Sequence, residues 1–231
     1  MRGVIWYQGE ANGEEGLSYL QKMRALIGGW RQLWGRGDFP FYFVQLASIG
    51  PPDPNNAAGG NGWPRLREAQ LQTLAVTNTG MAVTIDIGDA GDIHPRNKQD
   101  VGVRLARWAL ARDYKLNCVP SGPLFKGFSV QERGILLSFD FVGAGLMAGE
   151  KQAQAPVKEL AGGKLGGFAV AGADKAWQWA DAVISGSNVL VSCAKIPRPV
   201  AVRYAWQQNP SGANLYNKDG LPASPFRTDN W

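Results

Sequence analysis

The sequence predicts an α/β protein: a parallel sheet covered by helices over residues 1–120, then a β-rich region over residues 121–231. Three observations carry this. Short apolar runs rich in β-branched and aromatic residues alternate three times with helical patterns in the first half, the order that produces parallel strands joined by crossover helices. After about Pro120 no long helical period survives, and Gly and Pro punctuate short strand-like runs instead. The 231 residues, 45% hydrophobic and only 19% charged, suffice to bury a sizeable core as one large or two small domains.

The elements follow in order. Val4-Ile5-Trp6-Tyr7 is a short buried strand that runs into the polar, glycine-containing loop Gln8-Gly9-Glu10-Ala11-Asn12-Gly13. Leu20, Met23, Ile27, Trp30 and Trp34 recur at three- and four-residue steps and stop at Gly35-Arg36-Gly37-Asp38, which marks an amphipathic helix over 19–34. Residues 41–46 make a second buried strand. The Pro- and Gly-rich stretch 51–62 after it is a long loop of the kind that shapes a substrate mouth. Residues 64–76 are helical in pattern, residues 81–85 form a third strand, and residues 95–114 return to a helix entered through Pro95, a favoured first-turn residue. In the second half the strand-like runs are 135–139, 183–184, 189–192 and 200–204, the texture of an all-β unit.

The net charge is +5, but the 24 Lys and Arg are dispersed along the chain. This reads as a solvated surface, with no basic-aromatic array for nucleic acid. No apolar run is long enough to span a membrane, and the start lacks the apolar core and cleavage site of a signal peptide. Two cysteines, Cys118 and Cys193, are too few and too far apart for a metal cluster or disulfide framework; they read as buried thiols, with a single bridge left open.

His94, the only histidine, sits in Asp92-Ile93-His94-Pro95 where the third strand gives way to a helix. Ligands bind at the carboxyl ends of strands in open α/β sheets, and both this segment and the Gln8–Asn12 loop occupy such ends. Two readings stay open. Either Asp92 and His94 form a proton-transfer pair, with Asp86 or Asp89 as further candidates to orient the ring, or Asp92 caps the helix near Pro95 and His94 is incidental. Likewise the Gln8–Asn12 loop is either a donor set for a developing negative charge or an ordinary polar turn. Trp6 and Tyr7 read as core packing, whereas Trp63, between Gly62 and Pro64 in a loop, is the better candidate for contact with a substrate.

The segments GVIWYQGEAN (3–12), GDFPFYFVQLA (37–47), LREAQ (66–70), NTGMAVTIDIGDAGDIHPRNK (78–98) and the stretch ending GLPASPFRTD (to 229) resemble the bacterial sialate O-acetylesterases, carbohydrate esterases of the SGNH type. The resemblance spans nearly the whole chain. It implies a serine esterase that removes acetyl groups from sugar hydroxyls, with no metal or organic cofactor and an acetylated carbohydrate as partner. His94 then matches the general base. Asp92 is its partner by position, although the common SGNH pattern puts the Asp three residues before the His, where Gly91 stands. Gln8, Gly9, Glu10 and Asn12 match the oxyanion-side and substrate-orienting loop, with Ala11 where Ser is more usual.

The family's nucleophile motif, Gly-Gln-Ser-Asn-Met, has no counterpart among these residues. Gly186-Ser187-Asn188 reads as a turn, and Ser48 lies in the wrong context. The expected fold is therefore an incomplete SGNH three-layer sheet to residue 120 followed by a β-sandwich-like accessory region: a C-terminal portion whose partner is the missing N-terminal part. Apolar faces near residues 4–7 should be exposed, and activity alone should be low. The competing expectations are an inactive, unstable fragment and a noncatalytic carbohydrate-binding pseudoenzyme. The family resemblance also implies a periplasmic or extracellular location.

Overall fold

The computed structural model describes residues 2–231 and shows a mixed α/β protein with several sheets. β1 (Val4–Trp6), α1 (Ser18–Trp34), β2 (Phe41–Val44), α2 (Gly62–Gln72), β3 (Thr79–Ala82) and α3 (Lys98–Arg112) follow one another along the chain. The three strands form a parallel sheet in the order β1-β2-β3. Alternation along each strand divides the apolar side chains between two faces. Phe41, Phe43 and Met81 join Leu20, Met23 and Ile27 of α1 and Leu66 of α2 in one core. Tyr42, Val44 and Ala82 meet Val101, Leu105 and Trp108 of α3 on the opposite face.

The helix ends show why these segments stop where they do. Gly35 adopts a left-handed conformation, φ 56°, and its N–H bonds to the Arg31 carbonyl, closing α1. Gly80 in β3 lies directly beneath the Trp108 indole, where a Cβ would come within 2.4 Å of the ring. The helix predicted to enter through Pro95 begins instead at Lys98, because Asn97 accepts the Asp100 N–H and serves as its N-cap. Asp92 therefore does not cap it. The third strand also starts and ends earlier than residues 81–85 suggested: β2 pairs with it only from Thr79 to Ala82.

From residue 124 onward the chain is antiparallel β structure. Its strands are β4 (Leu124–Gln131), β5 (Gly134–Asp140), β6 (Leu146–Glu150), β7 (Lys158–Glu159), β8 (Phe168–Ala171), β9 (Trp177–Trp179), β10 (Asp181–Ser185), β11 (Asn188–Ser192), β12 (Ala201–Tyr204), β13 (Leu215–Asn217) and β14 (Phe226–Arg227). They form sheets in the orders β10-β11-β5-β4, β14-β12-β8-β9 and β13-β6-β7. Ser187 sits in the turn between β10 and β11, after Gly186 at φ 62°, as the sequence suggested. One continuous apolar core runs from Tyr19 and Met23 in the first half to Val202, Tyr204 and Phe226 in the second.

Two expectations need correction. The positive charge is not simply a solvated surface: Arg67 and Arg104 are buried, and Arg203 and Arg227 are nearly so. Arginine's fork of donors lets it tie distant backbone and carboxylate oxygens together, a structural use that composition cannot show. Cys118 and Cys193 are free and only half-buried, not paired and not core thiols. Among the described residues no helix is long and apolar enough to cross a membrane.

Candidate active site

The loop after β1 is held by a run of polar side chains. The Tyr19 hydroxyl lies 2.8 Å from Gln8 Oε1 and 3.0 Å from the Gln8 carbonyl. Gln8 Nε2 donates to Asn12 Oδ1 at 2.6 Å, and Asn12 Nδ2 donates to Glu15 Oε1 at 2.8 Å. Lys22 closes the run on Glu15 and, with Asn12, holds that carboxyl below its usual range. Burial pushes the Tyr19 hydroxyl up to about 12, so it stays a donor throughout the ordinary pH range. Fixing both amide groups in this way reduces the reorganisation needed when a ligand arrives.

Gly9 is placed at φ 151° between Leu46, Leu66 and Gln70, where a Cβ would lie 3.1–3.2 Å from their side chains. Gln70 donates to the Val44 carbonyl and accepts the Leu46 N–H, with Nε2 also 3.4 Å from the Gln8 carbonyl. Arg67, one turn earlier on α2, donates to the carbonyls of Leu46, Ala47, Gln207 and Gln208. It is fully buried with no carboxylate beside it, and that burial lowers its pKa from the usual arginine value. The two side chains thus fasten the end of β2 to the Gln8 loop and to the β-rich half. Tyr19, Glu15, Arg67 and Gln70 were not nominated from sequence. For Arg67 and Gln70 the signals were the LREAQ segment (66–70) and their polar character on a helix; Tyr19 and Glu15 carried none.

His94 lies in the loop after β3, with its side chain 81% exposed. Asp92 Oδ1 accepts the His94 backbone N–H at 2.8 Å, while Nδ1 of the ring is 3.8 Å from the same oxygen. The aspartate therefore fixes the turn, and its carboxylate stands beside the imidazole without a direct hydrogen bond to it. Asp89 likewise accepts the Gly91 N–H. Asp86 is removed from contention, because Arg104 takes it with two bonds of 2.6 and 2.7 Å and the Tyr216 hydroxyl with a third. At the start of α3, Lys98 Nζ lies 4.8 Å from the centre of the Tyr7 ring. This contact brings the segment following His94 back to the end of β1.

Ser48 is buried and its hydroxyl donates to the Ile85 carbonyl, a structural position. The strand predicted to be buried is only partly covered, with Val4, Trp6 and Tyr7 half-buried and Ile5 exposed; Trp6 packs edge-on against Trp30 at 5.7 Å at the margin of the core. Trp63 lies in the first turn of α2 and not in a loop as expected, because the helix already begins at Gly62; it is half-buried, its indole N–H donates to the Ala47 carbonyl at 2.9 Å, and its ring lies against Gly13. It borders the Gln8–Asn12 loop. The adjoining 51–61 loop is pinned by the second half, with Gln207 donating to the carbonyls of Asp53 and Asn56 and Asn209 to that of Gly50.

Polar loops at the carboxyl ends of parallel strands, with the histidine on one of them, give the chain the layout of α/β proteins that bind ligands at strand ends. Comparison with known proteins narrows this to the carbohydrate esterases. Residues 1–111 match the family described as "Carbohydrate esterase, sialic acid-specific acetylesterase". Rat sialate O-acetylesterase is 30% identical over 98% of this chain and 44% of its own length. The human enzyme is 31% identical over 98% and 45%. A solved structure, the novel carbohydrate acetylesterase XAC1771 from Xanthomonas citri, superposes with a TM-score of 0.88 at 42% identity, covering 100% of this chain and 51% of that one. The chain belongs to the sialic acid-specific acetylesterase family of carbohydrate esterases. It spans about half the length of these relatives.

Proposed function

We propose that these 231 residues carry the base-bearing, substrate-orienting part of a carbohydrate O-acetylesterase whose serine nucleophile comes from polypeptide outside them. In this reading residues 1–120 are the SGNH-type esterase part and residues 121–231 an accessory β region. His94 takes the proton from the serine hydroxyl as its oxygen attacks the acetyl carbonyl, then delivers that proton to the departing sugar oxygen. Water, deprotonated by His94, attacks the acyl-serine and releases acetate. Asp92 holds the His94 turn and stabilises the imidazolium. Gln8, Gly9, Glu10 and Asn12 face the carbonyl oxygen and sugar, and Trp63 contacts a sugar ring. Release into the periplasm or outside the cell is part of the proposal and rests on resemblance alone.

The observation that carries the reading is the pinned Gln8–Asn12 loop beside a histidine loop that Lys98 returns to Tyr7. A second reading, a noncatalytic carbohydrate-binding protein using the same loops, draws on the exposed His94 and its 3.8 Å separation from Asp92. Aryl acetate turnover decides between them. The chain alone should be nearly inactive. Supplying the portion of the Xanthomonas citri esterase that this chain does not match should restore acetate release that His94→Ala abolishes. Turnover by the purified chain alone, lost in His94→Ala, would overturn the external serine, and sugar binding with no acetate release in any combination would support the second reading.

A further inference from the structure

Beyond the carboxyl ends of β2 and β3 a cavity of about 480 Å³ opens between the two halves of the chain. Ser48, after β2, and Asp86 and Ala90, after β3, form one wall. The other wall comes from the β-rich half: Glu150 at the end of β6, Lys151 next to it, the turn 209–214, and Tyr216 of β13. Ligands of open α/β sheets bind at such strand ends, and the volume falls within the range of about 300–1,000 Å³ usual for small-ligand sites. Ala90 precedes His94 by four residues on one loop. Their Cα atoms are therefore no more than about 14 Å apart, within reach of one short oligosaccharide.

The walls are tied in place. The Gly50 N–H donates to the Ala90 carbonyl at 3.0 Å, and the Gly50 carbonyl accepts Asn209 Nδ2 at 2.6 Å. One residue thus clamps the His94 loop to the 209–214 turn. Asn214 accepts the Gly166 N–H and donates to the Lys164 carbonyl. The charges are settled unevenly: Asp86 is taken by Arg104 and the Tyr216 hydroxyl, and Lys151 by Asp100. Glu150 is exposed and, among the described residues, makes no ion pair. The cavity therefore presents one free carboxylate, the side-chain carbonyl of Asn209 and the Ser211 hydroxyl, and no free cation. Sugar hydroxyls can donate to such acceptors. A phosphate, sulfate or carboxylate would lie beside a like charge with no cation to pair it.

We infer that this cavity is a subsite for the neutral sugar chain flanking the acetylated residue, with Glu150 and Asn209 accepting hydrogen bonds from sugar hydroxyls. The inference rests on the proposed function and deepens it. The substrate is an oligosaccharide or polymer, uncharged next to the ester-bearing sugar, and the β-rich half builds one wall of its site. Gly88, Ala90, Ser211 and Gly212 are exposed at the mouth, so a chain longer than the cavity can run on into solvent. Walls already fixed by hydrogen bonds cost little further ordering when the sugar binds.

Saturation-transfer NMR on the intact chain tests it, with cellotetraose, mannotetraose, xylotetraose and maltotetraose as neutral probes and tetragalacturonate as the acidic one. At least one neutral probe should bind, at least about ten-fold more tightly than tetragalacturonate, and the gap should narrow near about 0.5 M salt. Ser211→Trp and Gly212→Trp should each abolish binding by filling the cavity. Both positions are exposed, a Cβ at Gly212 meets open space, and unchanged melting shows that the fold survives. Glu150→Gln, which adds no bulk, should keep neutral binding and erase most of the discrimination against tetragalacturonate. No binding of any neutral probe up to about 10 mM, binding indifferent to both tryptophans, or tighter binding of tetragalacturonate would each overturn the inference. The probes carry no acetyl group, so an esterase assay can fail while the subsite stands, and the reverse.

Discussion

Glu68 and Arg227 meet through two bonds of 2.9 and 3.0 Å although 159 residues separate them. Arg227 also lies 3.6 Å from Asp229, which pairs with Arg203, so one ionic cluster fastens α2 to the last strand. Removing one partner of a well-buried pair leaves the other charge uncompensated. Glu68→Ala is therefore expected to cost about 3 kcal/mol, and a double-mutant cycle with Arg227→Met should recover part of that loss. Urea unfolding of the four proteins measures it, and a loss below about 0.5 kcal/mol would mark the pair as an ordinary surface bridge.

Tyr19→Phe deletes the hydroxyl that holds both oxygens of Gln8. The expected loss is about 1 kcal/mol of stability, together with faster amide exchange in residues 8–13 but not in α1. Uniform exchange would show that the loop is held by other contacts.

His94→Ala should leave stability within about 0.5 kcal/mol of the parent, because the ring is exposed and carries no packing. In an active, complete esterase the same change should lower turnover by at least about a thousand-fold. A large loss of stability would instead give His94 a structural role.

Asp100 gives the pH response. Burial opposes its ionisation, but hydrogen bonds from Lys151 and Asn97 outweigh that and hold its carboxyl below the usual aspartate value. The folded state then binds fewer protons than the unfolded one, so the stabilisation is full above about pH 5 and is lost as pH falls through the unfolded value near 4 and below. Thermal melting between about pH 3 and 6 should show a shallower acid decline in Asp100→Asn. Parallel curves would assign the decline to other carboxylates.

Much of the fold was legible because it is local. The three- and four-residue apolar period of α1 and the alternation of strand, helix and loop survive as written, and the runs at 135–139, 183–184 and 189–192 fall in β5, β10 and β11. The start of α3 was misplaced because Pro95 is an attractive first-turn residue, whereas the capping bond that decides the matter belongs to Asn97. His94 and the Gln8 loop stood out by residue type and strand-end position. Arg67, Gln70 and Tyr19 did not, since a polar side chain on a helix looks the same whether it meets water or a distant carbonyl.

The sequence by itself determined the order of elements, the family and the identity of the single histidine, all of which depend on neighbours within a few turns of chain or on ordered motifs. Only the tertiary structure decided that Asp86 belongs to Arg104 and not to His94, and that Asp92 fixes a turn. Those outcomes depend on which groups, tens to more than a hundred residues apart, reach one another when the core closes, and burial then sets whether a charge is paired, neutral or free to bind.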